Sequence, residues 1–400
     1  MEDLEHRLAE LRERGLLRRM RVVSGPQGSR VTVDGRQALL LCSNNYLGLA
    51  DDPRVREAAA EAALRLGAGA GASRLISGNM DVHGELEEAL ADFKGHERCL
   101  LFGSGYLANT GAVAALAGRG GVVLSDALNH ASIVDGCRLA RSETVVYRHA
   151  DLDHLAYELR RRPGRDALIV TDGVFSMDGD VAPLVGIVEL VRRHGARVMV
   201  DEAHATGVLG PGGRGSVAEA GLTDEVDVVI GTLGKTLGSY GAYACCGARV
   251  EDWLVNTARS LVFSTALPPP SVAAARAALA VLRAEPERVA RLHANARVLR
   301  DALGHEGVTA AGAGTPIVPV VVGPADAAVR ACERALEGRV FAQAIRPPTV
   351  PNGTSRLRLA VMATHTEPEL REAARVVASA VTAQRGGAPG ARDGELRATA

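Results

Sequence analysis

The stretch from residue 52 to 265 alternates between two patterns of hydrophobic positions. One is a helical spacing of apolar side chains, found at 53–66, 84–93 and 107–116. The other is a short, mostly apolar run, found at 99–102, 167–171, 197–200, 226–231 and 242–246. Such runs, mostly rich in Val or Ile, are typical of strands buried on both faces. Strands that alternate with helices predict an α/β fold with a mainly parallel, helix-covered sheet.

Different patterns flank this region. Apolar residues at helical spacing predict an amphipathic helix over 4–20, and short strands follow near 30–33 and 39–42. Prolines at 268–270 mark a predicted hinge, after which a long helix to about 303 and the strands and helix at 317–322, 325–336 and 357–361 indicate a smaller α+β domain. We therefore predict an N-terminal segment (1–45), a large α/β domain (46–270), a small α+β domain (271–384) and a disordered tail (385–400).

The charge of the chain is balanced, with 46 Lys and Arg against 47 Asp and Glu over 400 residues, and 3% of the residues are aromatic. This composition favours neither nucleic acid nor an anionic membrane as a partner. We see no secretory signal and no apolar run near the roughly 18 residues of a membrane span. The six cysteines are scattered without metal-binding spacing. We therefore predict no metal site and a reducing, cytoplasmic location.

Lysine is scarce, since arginine supplies nearly all basic side chains and the only lysines are Lys94 and Lys235. Lys94 follows a predicted helix and is expected to face solvent. Lys235 follows a predicted buried strand and lies between Gly234 and Gly238. Arginine cannot replace an amine that must lose its proton or form an imine. Lys235 is therefore the candidate for such chemistry.

Polar side chains follow several predicted strands, among them Ser176, Asp201, His204 and Lys235. Because ligands of open α/β sheets bind beyond the carboxyl ends of the strands, we expect these side chains to lie close together. An imine-forming lysine and a carboxylate that keeps a pyridinium nitrogen protonated are what pyridoxal phosphate chemistry requires. The Gly-Ser-Gly turn at 103–105, between a strand and a helix, suits phosphate binding.

Five segments carry a more specific signal. They are SNNYLGLA (43–50), SDALNHASIVDGCR (125–138), TDGVFSMDGD (171–180), VDEAHATGVLGPGGRG (200–215) and GTLGKTLGS (231–239). Together they resemble the α-oxoamine synthases, which are fold-type-I pyridoxal phosphate enzymes, and the likeness runs from about residue 10 to 380. The resemblance implies a seven-stranded-type sheet domain, pyridoxal 5'-phosphate as cofactor, and a homodimer with active sites at the subunit interface. It also implies the decarboxylative condensation of an amino acid with an acyl thioester.

The resemblance further implies roles for individual residues. Lys235 matches the Schiff-base lysine, Asp201 the partner of the pyridinium nitrogen, and His130 the histidine that stacks on the cofactor ring; these three are the predicted catalytic residues. The other implied cofactor contacts are Ser176 and His204 near the phenolic oxygen, Gly105, Tyr106 and Thr232 at the phosphate, and Ser264 and Thr265 at the phosphate of the partner subunit.

Substrate contacts are implied in the same way. Asn44 matches a residue near the substrate, and His130 is expected to reach the acyl carbonyl. Arg358 matches the arginine that binds the carboxylate of the amino acid, a task for which a guanidinium fork is well suited.

The segment AIRPPTVPNGTSRLRL (344–359) is most similar to the branch of the family that condenses L-alanine with pimeloyl-CoA or a pimeloyl carrier protein in biotin biosynthesis. Thr349 and an N-terminal arginine, Arg18 or else Arg19, would then contact the acyl donor. Alternatives are glycine C-acetyltransferase, 5-aminolevulinate synthase or a synthase that uses another acyl-CoA. A non-catalytic binding partner of the same fold is a more remote alternative, because such proteins have lost the lysine that is present here.

Overall fold

The computed structural model describes residues 2–312 and 314–385. The α-helices are α1 (Glu2–Glu13), α2 (Pro53–Leu66), α3 (Asp81–Lys94), α4 (Gly105–Leu116), α5 (Ala131–Ala140), α6 (Leu152–Arg160), α7 (Leu184–His194), α8 (Ser216–Glu219), α9 (Ala248–Thr257), α10 (Arg259–Val262), α11 (Pro269–Ala284), α12 (Glu287–His305), α13 (Ala325–Glu337) and α14 (Glu367–Arg385). The strands are β1 (Val23–Ser24), β2 (Arg30–Val33), β3 (Arg36–Leu40), β4 (Arg98–Phe102), β5 (Val122–Asp126), β6 (Glu143–Tyr147), β7 (Ala167–Asp172), β8 (Arg197–Asp201), β9 (Val228–Thr232), β10 (Ala242–Cys246), β11 (Ile317–Gly323), β12 (Val340–Phe341), β13 (Gln343–Ile345) and β14 (Ser355–Ala360).

A seven-stranded sheet in the order β4-β10-β9-β8-β7-β5-β6 forms the centre of the fold. Strands β9, β8, β7, β5 and β6 are parallel, and β10 runs antiparallel to both β9 and β4. The predicted α/β class with a mainly parallel sheet is therefore confirmed. Polar side chains appear at the carboxyl ends of the buried strands, where β7 ends at Asp172 and β8 at Asp201.

Helices cover both faces of this sheet. Along β5, Val122 and Leu124 belong to a core shared with α3, α6, α7 and α11, whereas Val123 belongs to a core shared with α4, α5 and α9. This alternation follows from the two-residue period of a strand, which sends successive side chains to opposite faces. Both cores are apolar, so the first three residues of β5 are apolar as well, and the buried polar residues Ser125 and Asp126 follow only at its carboxyl end.

Two smaller sheets accompany the central one. β11, β14 and β13 form an antiparallel sheet covered by α12, α13 and α14. β1, β2 and β3 are joined by β12, which pairs in parallel with β3 and so links the N-terminal strands to the C-terminal part of the chain. The boundaries at 45, 270 and 384 stay a prediction. The predicted disordered tail begins at the last residue of α14, and 386–400 lie outside the described residues.

Three local expectations were wrong. α1 ends at Glu13 rather than near residue 20, because Gly15 adopts a left-handed backbone with φ 63°. The long helix expected up to residue 303 is two helices, α11 and α12. Pro286 lacks an N–H and restricts the residue before it, so the helix breaks there. Lys94 does not face solvent but is buried at the end of α3.

Among the described residues, no helix is long and apolar enough to cross a membrane.

Candidate active site

The carboxyl ends of the central parallel strands bring the predicted residues together. Asp172 at the end of β7 is paired in register with Asp201 at the end of β8, and Thr232 ends the neighbouring β9. Lys235 follows three residues later, close enough for both aspartates to affect its pKa. This edge of the sheet is therefore where amine and carboxylate groups meet.

A glycine brings a second segment to the Lys235 loop. Gly238 has a φ of 59°, and a Cβ there would overlap the backbone of Ala50. The absence of a side chain therefore lets residues 43–50 pack against the loop. Thr236 fixes the loop from the other side, since its hydroxyl donates to the carbonyl of Thr206 at 2.8 Å.

His204 lies between Lys235 and Tyr46. The Nζ of Lys235 is 2.9 Å from Nε2 of His204, and Nδ1 of His204 is 2.7 Å from the hydroxyl of Tyr46. Tyr46 and His204 are buried, whereas Lys235 is half-buried. Burial lowers the pKa of Lys235 to about 8 and lowers the pKa of His204 well below its ordinary value. A larger fraction of Lys235 is therefore free amine at neutral pH than for an ordinary lysine.

Arg358 on β14 reaches the same cluster from the smaller sheet. Its Nε donates to the carbonyl of Ser176, Nη1 to Oδ1 of Asn44 at 3.2 Å, and Nη2 to the hydroxyl of Tyr46 at 3.4 Å. Arg358 is only 6% exposed, yet it forms no ion pair with any carboxylate of residues 2–312 and 314–385. A buried cation without a counter-ion is costly, so this guanidinium is suited to bind the carboxylate of a ligand.

Two buried carboxyl groups lie next to each other in different surroundings. Asp201 accepts hydrogen bonds from Nδ2 of Asn109 at 2.6 Å and from the backbone of Ala203 at 2.8 Å. Asp172 accepts one from the backbone of His130 at 2.8 Å, and burial, together with the charge of Asp201, raises its pKa. Asp201 is thus a carboxyl group held in place by two hydrogen-bond donors, and a carboxylate is the type of group that pairs with a ring-nitrogen cation.

The start of α4 has the features of an anion site. Gly105 begins the helix directly after β4 and a two-residue turn, and Ser104 caps its first turn. A Cβ on Gly105 would lie 3.9 Å from the Cβ of Thr232, an ordinary contact distance, so the start of the helix lies beside the end of β9. Tyr106 follows in the first turn. Backbone N–H groups and the helix dipole at such a position favour a phosphate group.

The remaining predicted contacts lie in two other places. Ser264 and Thr265 line a small cavity together with Gly103, in the turn before α4 of the same chain. Arg18 and Thr349 line a separate cavity of about 320 Å³. The roles of these residues toward a partner's phosphate or an acyl donor stay predictions.

Sequence reasoning missed several side chains that contact predicted site residues, among them Tyr46, Asn109, Ser132 and Asp172. Three of them lie inside the motif segments, at 43–50, 125–138 and 171–180, so membership of a motif was the available signal. Asn109 offered another signal, a polar residue within an otherwise largely apolar helix.

Comparisons with known proteins identify the family of this chain. Residues 36–377 match the family model for aminotransferase class I and II. The chain belongs to that family.

Two curated relatives are named 8-amino-7-oxononanoate synthase. The one from Citrifermentans bemidjiense is 52% identical over 94% of this chain and 97% of its own length, and the one from Geobacter sulfurreducens is 54% identical over 93% and 96%. A high-resolution structure of SPT with a PLP internal aldimine is similar with a TM-score of 0.91 and 34% identity, over 96% of this chain and 98% of that one.

These findings confirm the predicted fold type, and the residues present fit pyridoxal phosphate. A half-buried amine, a carboxylate held by two donors and a helix N-terminus lie at one edge of the sheet, as the aldehyde, ring nitrogen and phosphate of that cofactor require. The donor set is not that of a metal centre. Among the described residues, no group of three or more His, Cys, Asp and Glu side chains could hold a metal ion.

Proposed function

We propose that this chain is an 8-amino-7-oxononanoate synthase of biotin biosynthesis, which condenses L-alanine with a pimeloyl thioester. A bond forms between the α-carbon of alanine and the thioester carbonyl carbon, the thiol leaves, and the alanine carboxylate is lost as CO2. Identities of 52% and 54% to relatives with this name, over nearly the whole length of each protein, support the proposal.

The observation that carries the proposal is the position of Arg358. Its guanidinium contacts the hydroxyl of Tyr46, which contacts His204, which contacts Lys235. A ligand carboxylate bound by Arg358 therefore lies in the same cluster as the amine. Arg356, two residues earlier on β14, is equally buried but already pairs with Asp178. Arg358 is thus the arginine of this strand that is available to an amino acid.

Pyridoxal phosphate, when bound, supplies a ring that withdraws electrons from the α-carbon of the amino acid. Lys235 would hold the cofactor, Asp201 would pair with its ring nitrogen, and the start of α4 with Thr232 would bind its phosphate. Ser264 and Thr265 would contact the phosphate of the cofactor that the partner subunit binds. Ser176 and His204 would lie near the phenolic oxygen of the cofactor in their own subunit.

The chain's own residues then prepare the carbon nucleophile. Arg358 and Asn44 orient the amino acid by its carboxylate, which fixes the direction of the Cα–H bond. The amine of Lys235, with its pKa lowered to about 8, accepts the α-proton near neutral pH. His204 stays neutral because burial lowers its pKa, so it adds no second positive charge beside the amine.

His130 is the residue that we propose for the acyl half of the reaction. It caps the N-terminus of α5 beside Asp172 and Asp201, and the residue is exposed. A ring N–H aimed at the thioester carbonyl would stabilise the negative charge that develops on its oxygen. Desolvation lowers the pKa of His130 despite this exposure, so the ring donates as a neutral imidazole.

The cavity lined by Arg18, Arg346 and Thr349 is the proposed site of the acyl donor. Arg19 lines the same cavity but pairs with Asp34 at 3.0 Å, whereas Arg18 forms no ion pair within the described ranges. This difference favours Arg18 as the contact for an anionic donor. Both CoA and a carrier-protein arm carry phosphate, so the site suits either form of the thioester.

The assembly and location of the enzyme complete the proposal. We propose a homodimer with active sites at the subunit interface. The exposure of Tyr106, Ser264 and Thr265 supports it, because each is a predicted cofactor contact that remains partly open in the single chain. A cytoplasmic location is supported by the six cysteines, all of which are free thiols.

The test is product analysis with purified protein. L-Alanine and pimeloyl-CoA should give 8-amino-7-oxononanoate and free CoA in equal amounts, measured by mass spectrometry and a thiol reagent. Lys235→Ala should lose at least about 10³-fold in turnover while it keeps the unfolding midpoint of the cofactor-free protein. Full activity of Lys235→Ala, or release of CoA without the amino-keto product, would overturn the proposal.

A further inference from the structure

A chain of hydrogen bonds joins the carboxylate of Asp201 to the imidazole of His130. Nδ2 of Asn109 lies 2.6 Å from Oδ2 of Asp201 and 2.9 Å from Oγ of Ser132. That hydroxyl oxygen lies 2.7 Å from Nδ1 of His130. Asn109 and Ser132 come from α4 and α5 and are almost completely buried, at 1% and 0% exposed.

Asp201 determines which way the amide of Asn109 points. The amide nitrogen carries two hydrogens, and its two neighbours are the carboxylate oxygen and the hydroxyl oxygen. If the amide were reversed, its Oδ1 would lie against the carboxylate of Asp201, and two acceptors would repel each other. The carboxylate therefore keeps the NH2 group on its own side, with one N–H directed to Ser132.

Ser132 passes this direction on to His130. Because the serine oxygen accepts from Asn109, its own hydrogen is free to donate to Nδ1 of His130. The backbone N–H of Ser132 points at the same nitrogen, at 3.3 Å, and a backbone amide can only donate. Two donors thus meet at Nδ1, so a neutral ring carries its hydrogen on Nε2, which forms no hydrogen bond with the described residues.

We propose that Asn109 and Ser132 are positioning residues that hold His130 as the Nε2–H tautomer. We call the chain of hydrogen bonds from Asp201 through Asn109 and Ser132 to His130 the relay, and the carboxylate of Asp201 sets the direction in which its groups donate. Asp201, the proposed partner of the cofactor's ring nitrogen, then also determines which nitrogen of His130 can donate. The consequence for catalysis rests on the proposed function: the Nε2–H would face the acyl carbonyl in the donating form from the start. The tautomer itself can be measured without substrate.

The direct measurement is a two-bond ¹H–¹⁵N correlation spectrum of the full-length holoenzyme with ¹⁵N-labelled histidine, which distinguishes the two neutral tautomers. His130→Gln identifies the signal by its disappearance. In the unaltered protein, we expect the Nε2–H form to exceed the Nδ1–H form at least about tenfold, since two hydrogen bonds favour it. A predominantly Nδ1–H signal, or a near-equal mixture, would overturn the proposal even if none of the variants folds.

Two variants then test the relay. Ser132→Ala removes the hydroxyl, and Asn109→Leu removes its directing donor, so each should reduce the tautomer ratio at least about threefold. Each should also lower kcat about 10- to 100-fold, as loss of an outer partner of a functional histidine does, with KM for L-alanine within about twofold. Ser142→Ala is the matched control, because its hydroxyl donates to the carbonyls of Ala117 and Gly118 away from the site.

The tautomer ratio in the variants distinguishes a relay from a purely structural role of Asn109 and Ser132. An unchanged tautomer ratio in both variants means that Asn109 and Ser132 are structural only, whatever happens to kcat. A changed ratio in the variants, with Ser142→Ala unaffected, supports the relay. If the proposed function is wrong, the unaltered enzyme fails to condense L-alanine with pimeloyl-CoA, and the spectrum remains an independent test of the tautomer.

Discussion

The Nζ of Lys235 lies 2.9 Å from Nε2 of His204 in a half-buried position at the carboxyl edge of the central sheet. Burial keeps His204 neutral by lowering its pKa, so the contact pairs an amine with an uncharged ring rather than with a counter-ion. Desolvation therefore outweighs the attraction of Asp201 and Asp172, and the pKa of Lys235 falls to about 8.

The first prediction concerns the reactivity of this amine. The free amine is the nucleophile, so a lowered pKa moves the rise of reactivity with pH to lower values. Lys235 in the cofactor-free protein should react half-maximally with a small acylating reagent near pH 8, rather than near the ordinary value of about 10.4. Mass spectrometry of the Lys235 peptide reads the extent of labelling at each pH.

The second lysine serves as the internal control for this titration. The Lys94 side chain is 2% exposed and should stay unlabelled until the protein unfolds. If labelling of Lys235 still climbs steeply through pH 10, its amine behaves as an ordinary surface amine, which would contradict the lowered pKa of this group.

A second prediction separates the two buried arginines of β14. Arg358→Lys should raise KM for L-alanine about 10- to 100-fold with a smaller effect on kcat, because an ammonium group cannot form the two-pronged contact with a carboxylate. Arg356→Lys is the matched control. It keeps a positive charge beside Asp178 and should change KM less than about twofold. Steady-state kinetics with varied L-alanine measures the KM of both variants. Equal increases in KM would argue against a specific role of Arg358.

The third prediction concerns Lys94, whose ammonium group donates to Glu202, to the carbonyl of Arg214 and to Thr206 at 3.4 Å. Lys94→Met leaves the fully buried Glu202 without its counter-ion and should lower the free energy of unfolding by about 3–5 kcal/mol. Adding Glu202→Gln should recover part of the loss. Urea denaturation measures both effects.

An exposed ion pair gives the reference for that measurement. Arg276 and Glu85 join α11 to α3, with side chains 54% and 49% exposed. Arg276→Met should therefore change the free energy of unfolding by no more than about 1 kcal/mol. If Lys94→Met loses no more free energy of unfolding than Arg276→Met, then burial does not make the Lys94–Glu202 pair more stabilising than an exposed pair.

Much of the sheet and its chemistry could be predicted from local pattern. β10 has the predicted bounds, and the polar edge follows because Asp201 directly follows one apolar run and Lys235 follows another after a short glycine-containing turn. The role of Lys94 could not be predicted, because its partner Glu202 is 108 residues away and only the folded chain brings them together. The same holds for Arg358 and Asn44, which are 314 residues apart. Local spacing does not encode such contacts.

A fourth prediction compares neighbouring arginines at the proposed acyl-donor cavity. Arg18→Ala should raise KM for the pimeloyl thioester about tenfold, because a charge-assisted contact to the donor is lost. Arg19→Ala should have a much smaller effect, since that side chain already pairs with Asp34 at the surface. Kinetics with varied donor at saturating L-alanine measures both. A larger increase for Arg19→Ala would assign the contact to Arg19.

The choice of substrate pair is the most direct test of the proposed reaction. Purified enzyme is compared, by kcat/KM, on L-alanine with pimeloyl-CoA, glycine with acetyl-CoA, glycine with succinyl-CoA, and L-serine with palmitoyl-CoA. We expect the pimeloyl pair to be preferred by at least about 100-fold, because the site selects both the acyl chain and the amino acid. A clear preference for any other pair would contradict the proposed reaction while leaving the family and fold in place.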